Sequence, residues 1–249
     1  REWSEIAAAV RRLDRIVIIP ITNVDGRARV PLRMIPPQGA DFTVSEYFNT
    51  GGKLDGSIIG WPQCKRDIPV DFSKVQFPGG YPNDAGVNIQ HDDFFGKRQP
   101  ETGALFELAA RERPDLTLNM HTGADFLHPL RPSLEPVLTN AFEDLYRQVM
   151  TQLTAAGLQR SDDPAEVANP ARERLSVFNL DSALNMHCGS LSVLVESPSH
   201  AFSRAKRNGR PFFHTPENLL DAQLICHQEA MKFLAGSGGQ VAWRARPKA

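Results

Sequence analysis

An α/β fold, built as a doubly wound mixed sheet with helices on both faces, is the architecture this chain predicts. Three observations predict it. Short apolar runs recur at residues 15–21, 115–120 and 191–195, the first of them β-branched throughout most of its length. Each run stops at turn formers: Thr22-Asn23-Val24-Asp25-Gly26 after the first, Thr122-Gly123 after the second, Ser197-Pro198 after the third. Between the runs lie stretches whose apolar residues repeat at helical spacing. Strand alternating with helix is how doubly wound sheets are assembled.

The elements follow in order. Residues 2–13 read as an amphipathic helix, and Arg15-Ile-Val-Ile-Ile-Pro-Ile21 reads as a central strand because its apolar run is continuous. Residues 34–85 lose all periodicity. Pro36-Pro37, Gly51-Gly52 and Gly79-Gly80 punctuate them, so they read as a long irregular insertion, expected to cover the rim of an active site. A helix over Glu101–Arg111 is closed off by Pro114 before the strand that ends at His121. Residues 134–156 place Val137, Leu138, Phe142, Leu145, Val149 and Leu153 on one stripe, with Gly157 as the C-cap. The third strand ends at Glu196. A last helix starts with Thr215 as N-cap and Pro216 at its first position. The tail from Gly236 is Gly-rich and then basic, and is expected to fray. The whole of residues 1–249 reads as one domain.

Bulk properties narrow the function. The 249 residues carry a net charge of −1 with 23% charged residues, so no nucleic-acid or membrane-surface partner is expected. No apolar run reaches the length needed to span a bilayer. Cys64, Cys188 and Cys226 are odd in number and widely spaced, which argues against a disulfide framework. Cys188 is expected to be an inert buried thiol.

His121 and Glu196 carry the chemistry. Each ends a buried-looking strand at the carboxyl edge, where open α/β sheets bind ligands. A carboxylate closing the run Leu191-Ser-Val-Leu-Val195 is costly unless it is used or paired. A histidine and a carboxylate delivered together suit metal-assisted hydrolysis.

Three stretches extend this reading: Ile19-Pro-Ile-Thr-Asn23-Val-Asp25-Gly26, Gly86-Val-Asn-Ile-Gln-His-Asp-Asp-Phe94 followed by Glu101-Thr102, and Met120-His121 followed by Glu196. In this order they resemble the zinc carboxypeptidase family, the carboxypeptidase A/B type and its bacterial relatives. The resemblance implies that family's sheet, a zinc cofactor and a peptide or acyl-amino-acid substrate. It implies that His121 is the third zinc ligand and Glu196 the general base that activates water. Arg27, Arg29 and Arg33 are candidates for the arginine that steadies the oxyanion, with Arg33 favoured by spacing. Gln90 and His91 align with the family's Asn-Arg clamp for the substrate's terminal carboxylate.

The departures matter equally. The His-x-x-Glu that supplies the family's first two ligands is missing before Asn23, so under the resemblance those ligands are expected in a segment upstream of residue 1. His214-Thr-Pro-Glu217 matches that pattern literally but follows Glu196 and reads as a helix start. A histidine is a poorer carboxylate clamp than an arginine fork. The family's tyrosine before the catalytic Glu is replaced by the region of Leu175 and Phe178. The expected function is therefore zinc-dependent amide or peptide hydrolysis with altered carboxylate recognition, including deacylase or amidase activity. The alternative is a metal-free binding module of the same fold.

Overall fold

The computed structural model describes residues 3–29, 44–61, 63–66, 69–163, 178–198 and 205–245. In chain order its elements are α1 (Trp3–Val10), α2 (Val24–Ala28), α3 (Val44–Thr50), β1 (Gly52–Lys53), α4 (Gln63–Arg66), β2 (Val75–Phe77), α5 (Pro100–Glu112), β3 (Leu116–Thr122) and β4 (His128–Leu130). There follow α6 (Thr139–Ala155), α7 (Leu180–Cys188), β5 (Leu191–Ser197), β6 (Lys206–Arg207), β7 (Arg210–Pro211), α8 (Pro216–Ser237) and α9 (Gly239–Ala245). The class is mixed α/β. Contacts divide the chain into two compact units: residues 1–16 with 109–249, and residues 17–108. Among the described residues no helix is long and apolar enough to cross a membrane.

The larger unit is organised by a three-stranded sheet ordered β3-β5-β4, with β5 in the middle. β3 runs parallel to β5, with Leu116 opposite Leu191 and His121 opposite Glu196; β4 runs antiparallel, with His128 opposite Glu196 and Leu130 opposite Leu194. Residues opposite one another share a face of the pleat, and alternate residues change face. One face therefore carries Leu116, Leu118, Met120, Leu191, Val193 and Val195. These pack into the main core with Phe142, Leu145 and Val149 of α6 and Ala222, Cys226 and Phe233 of α8. The other face carries Thr117, Asn119, His121, Ser192, Glu196 and His128. Helix α7 lies against that second face, where Ser192 Oγ donates to Asp181 Oδ1 over 2.9 Å and Asn119 Nδ2 donates to Asp181 Oδ2 over 3.1 Å. β4 is three residues long and has Pro129 at its centre.

Helix ends follow their local chemistry. Asn179 caps α7 by accepting from the backbone N–H groups of Asp181 and Ser182, and Gly189 ends it in the left-handed conformation at φ 78°. Thr215 Oγ1 caps α8 by accepting from Asn218 N at 3.2 Å. α1 is tied to α8 by a 2.6 Å ion pair between Glu5 and Lys232, and Lys232 also reaches the buried Glu229 at 3.2 Å. Arg15 and Glu112 form an ion pair.

The smaller unit is built from short pieces. β1 and β2 pair antiparallel, and Tyr47 of α3 packs on Phe77 with ring centroids 5.3 Å apart. α5 begins in this unit and ends in the other. Within it Phe106 stacks on Phe94 at 6.3 Å, and the Arg98 guanidinium lies over the Phe106 ring.

Three expectations need correction. Residues 15–21 form no strand; Ile18 is 79% exposed and Ile16, Val17, Ile19 and Ile21 are exposed with it. β propensity made the run strand-like, but a strand also needs a neighbour to complete its backbone hydrogen bonds, and no described residue pairs with this one. The stretch 34–85 is not wholly irregular, since its described part holds α3, β1, α4 and β2. Those elements are too short for periodicity to register. The tail from Gly236 does not simply fray: Gly238 turns the chain at φ 83°, α9 follows, and Trp243 is buried against Phe233 at 5.5 Å. Helix α7 is an addition that the sequence reading lacked.

Candidate functional site

Glu196 stands at the carboxyl end of β5 with a histidine on each flank. His121 is its register partner on β3 and His128 its register partner on β4. All three share the polar face, and neighbours in the row are one strand spacing apart, about 4.8 Å. The two predicted residues therefore come together, and His128 joins them.

The carboxylate is set in an unusual electrostatic position. Glu196 Oε2 is buried and has no hydrogen-bond partner among the described residues. Gly123 closes over it: a Cβ built on that glycine would lie 3.2 Å from Oε2. The turn holding Gly123 is fastened to the end of β5. The Gly123 and Ala124 N–H groups donate to the Ser197 carbonyl over 2.9 and 3.3 Å, and Ser197 Oγ donates to the His121 carbonyl over 2.9 Å. These bonds use only the backbone of His121. Its ring makes no hydrogen bond to another described residue.

His128 is oriented from its own loop. Its Nδ1 lies 2.9 Å from the Phe126 carbonyl, which can only accept, so Nδ1 carries the proton and Nε2 the lone pair in the neutral ring. The loop is anchored in turn by His214, whose Nε2 donates to the Asp125 carbonyl over 2.7 Å. The His214 ring meets Phe126 and Phe212 edge-on, with centroids 5.0 and 4.9 Å away. His214 is thus a buried structural histidine. Glu217 lies in the first turn of α8, its carboxyl lowered by backbone and Thr215 hydrogen bonds. The literal His214-Thr-Pro-Glu217 pattern is a helix start.

One tier deeper on the same face, Asp181 is fully buried between Asn119 and Ser192. His187, Cys188 and Gly189 form the end of α7. Cys188 Sγ donates to the Leu184 carbonyl over 3.3 Å, and burial raises its thiol, which makes it a poor nucleophile.

Apart from Phe178, the remaining candidates belong to the smaller unit or lie outside the described residues. Asn23 caps α2 by accepting from Gly26 N at 2.9 Å and donates to the Gly80 and Tyr81 carbonyls over 3.2 and 2.9 Å. Asp25 Oδ2 accepts from Asp84 N at 2.9 Å. Arg29 is bound into the loop by the Gly79 and Pro82 carbonyls at 2.9 and 2.8 Å, by Asp84 at 2.7 Å and by the face of Phe72. Arg27 is exposed on α2. Arg33 and Leu175 fall outside the described residues, and Phe178 is exposed. Gln90 and His91 sit in a single 3-10 turn capped by Asn88, whose side chain accepts from Gln90 N at 3.1 Å. Asp92 accepts from Asp93 N and Gln99 N, both at 2.8 Å, so the His91-Asp92-Asp93 run is turn architecture.

No group of three or more His, Cys, Asp or Glu side chains among the described residues is arranged to hold a metal ion. Protein-family models, curated proteins and solved structures all yielded no match to this chain.

Proposed function

We propose that this chain carries the general-base side of an amide- or peptide-bond hydrolase of the zinc carboxypeptidase type, on a doubly wound mixed sheet of that family's kind. One observation carries the reading: Glu196 and His121 are register partners at the carboxyl edge of the sheet, and a buried oxygen of Glu196 has no donor. A carboxylate oxygen that has lost water and gained no hydrogen bond pays a desolvation cost. That cost is explained when its lone pairs are reserved for a proton taken from attacking water.

In this reading Glu196 accepts a proton from water as the water's oxygen adds to the scissile carbonyl. His121 lies alongside, on the β3 flank. Zinc belongs to the proposal as the cofactor of the family resembled, where it polarises the carbonyl and lowers the pKa of bound water towards about 7. His121 is the described residue that would hold it. A catalytic zinc needs three protein ligands, and the described residues do not assemble three. They do not by themselves fit the ion, so no step is derived through it. Gln90 and His91 are proposed to recognise the leaving end of a peptide or acyl-amino-acid substrate, and Arg33 to steady the oxyanion. Neither nucleic acid nor a membrane enters the proposal as a partner.

The incomplete donor set favours one second reading, a metal-free binding module. The test compares the protein with Glu196→Gln on a panel of peptides and N-acyl-amino acids, alongside metal analysis of the purified protein. Stoichiometric zinc and a loss of turnover on the order of 10²-fold or more in the variant are expected. Ligand binding without zinc and without turnover would instead establish the binding module.

A further inference from the structure

We infer that Asn208 is a self-modification site: its side-chain amide is lost as ammonia through a succinimide formed with Gly209, and Asp162 holds that reaction off while the β6–β7 hairpin stays closed. The inference lies outside the proposed hydrolytic reading and does not depend on it. The dipeptide Asn-Gly occurs once in this chain, as Asn208-Gly209, and makes the two-residue turn between β6 and β7. Arg207 faces Arg210 across that turn, and both turn residues are left-handed, at φ 51° and 75°. Such a turn matches the twist of the strands it joins, and Asn-Gly is its preferred sequence. Gly209 is exposed, and a Cβ built on it would meet nothing within 4 Å. The Asn208 amide is tied at both ends to Asp162: Oδ1 accepts from Asp162 N over 2.9 Å, and Nδ2 donates to Asp162 Oδ2. Arg207 Nη2 and Gln159 Nε2 donate to Asp162 Oδ1 over 2.8 and 2.7 Å. The Arg207 and Asn208 hydrogen bonds hold the Asp162 carboxyl below the usual carboxylate range, so it is charged at neutral pH.

The chemistry balances. Gly209 N gives its proton to solvent base and bonds to Asn208 Cγ. The Cγ–Nδ2 bond breaks, and Nδ2 leaves with a proton as ammonia. Water opens the succinimide at either carbonyl, which restores the N–H and leaves aspartate or isoaspartate. Water is the co-reactant, and nothing is oxidised or reduced. Glycine, having no side chain, hinders this ring closure least. In the closed hairpin the amide is turned to Asp162, so ring closure must first break two hydrogen bonds, one of them to a charged carboxylate. Local opening of the hairpin removes that hold. Either product then opposes reclosure. A carboxylate at position 208 meets Asp162 Oδ2 where the amide had donated, so two like charges face each other. Isoaspartate also adds a backbone atom, which breaks the match between the turn and the strand pair. The hairpin runs on into Phe212, whose N–H donates to the Ala205 carbonyl over 2.8 Å and whose ring lies against Phe126.

Peptide mapping by mass spectrometry, after prolonged incubation in mildly alkaline buffer, tests the site. The samples are the folded protein, the protein unfolded in guanidinium chloride, and folded Asp162→Ala. Circular dichroism checks the fold, and Asp162→Asn, which removes the charge but keeps the shape, serves if the alanine variant fails to fold. Conversion of Asn208 to aspartate and isoaspartate is expected to be slower in the folded than in the unfolded protein by about 10-fold or more. In folded Asp162→Ala it is expected to be faster than in the folded parent on the order of 10-fold, with Asp162→Asn between the two. Equal rates in folded and unfolded protein, or an unchanged rate in the Asp162 variants, would overturn the protection by Asp162. No conversion in the unfolded protein would overturn the site itself. Asn208→Asp installs one product directly and is read by hydrogen exchange. Faster exchange of the Arg207, Arg210 and Phe212 amides is expected, and exchange as slow as in the parent would overturn the loss of closure.

Discussion

Two short apolar runs meet opposite fates in this molecule. Leu191–Val195 is the centre of a sheet, with Leu191, Val193 and Val195 each at 0% exposure, whereas Ile16–Ile21 is exposed along its length. Both are short, apolar and followed by turn formers; Pro20 removes one backbone donor from the second run, but β-branched propensity alone would favour that run as the strand. The difference lies in neighbours. Strand β5 has β3 on one side, β4 on the other, α6 and α8 against one face and α7 against the opposite face. The Ile16–Ile21 run has no strand partner among the described residues. Hydrophobicity makes a segment eligible for a core, and partners on several sides admit it.

Substitutions break or sharpen this contrast, the largest effect first. Leu191→Ala opens a cavity in a closely packed core and is expected to cost about 3 kcal/mol, measured by urea unfolding. Asp181→Ala, on the polar face of the same sheet, removes the acceptor of the buried Ser192 hydroxyl and of the half-buried Asn119 amide and is expected to cost about 2 kcal/mol. Cys226 reports on the core by titration. Burial pushes its thiol up to about 12 from a usual value of 9.0. The unfolded chain therefore releases that proton first, and the stability this group contributes is intact below about pH 9 and is lost as pH rises towards 12. At pH 8 its thiolate fraction in the folded protein is roughly one in ten thousand, so alkylation by iodoacetamide should be undetectable until urea unfolds the chain. Ile18→Ala is expected to change stability by less than about 0.5 kcal/mol. A loss near that of Leu191→Ala would show that the exposed run is covered in solution and would erase the contrast.

Much of this was legible before the fold was known, for identifiable reasons. The strands ending at His121 and Glu196 were readable because each is seven residues long and bounded by turn formers. Helices α6 and α8 carry long apolar stripes, and α8 begins with its Thr215 cap and Pro216 as expected. β4 was missed because three residues around a proline carry no alternation, and the register of His128 against Glu196 depends on residues nearly seventy positions apart. Helix α7 had legible ends in Asn179 and Gly189, but its interior is as polar as it is apolar because it covers the polar face of the sheet. The burial of Asp181 is likewise a property of packing, since its partners Asn119 and Ser192 come from two different strands.

Pro129 has a consequence beyond the site it borders. A proline at the centre of a three-residue strand cannot supply the regular donors on which another strand would build, and short proline-bearing strands are among the ways natural sheets blunt their edges. Among the described residues β4 is therefore a terminus in the architectural sense, the last plank on its side. A segment that widens this sheet would find a run of backbone donors uninterrupted by proline along β3 instead. The row of His121, Glu196 and His128 is therefore more readily lengthened on the His121 end.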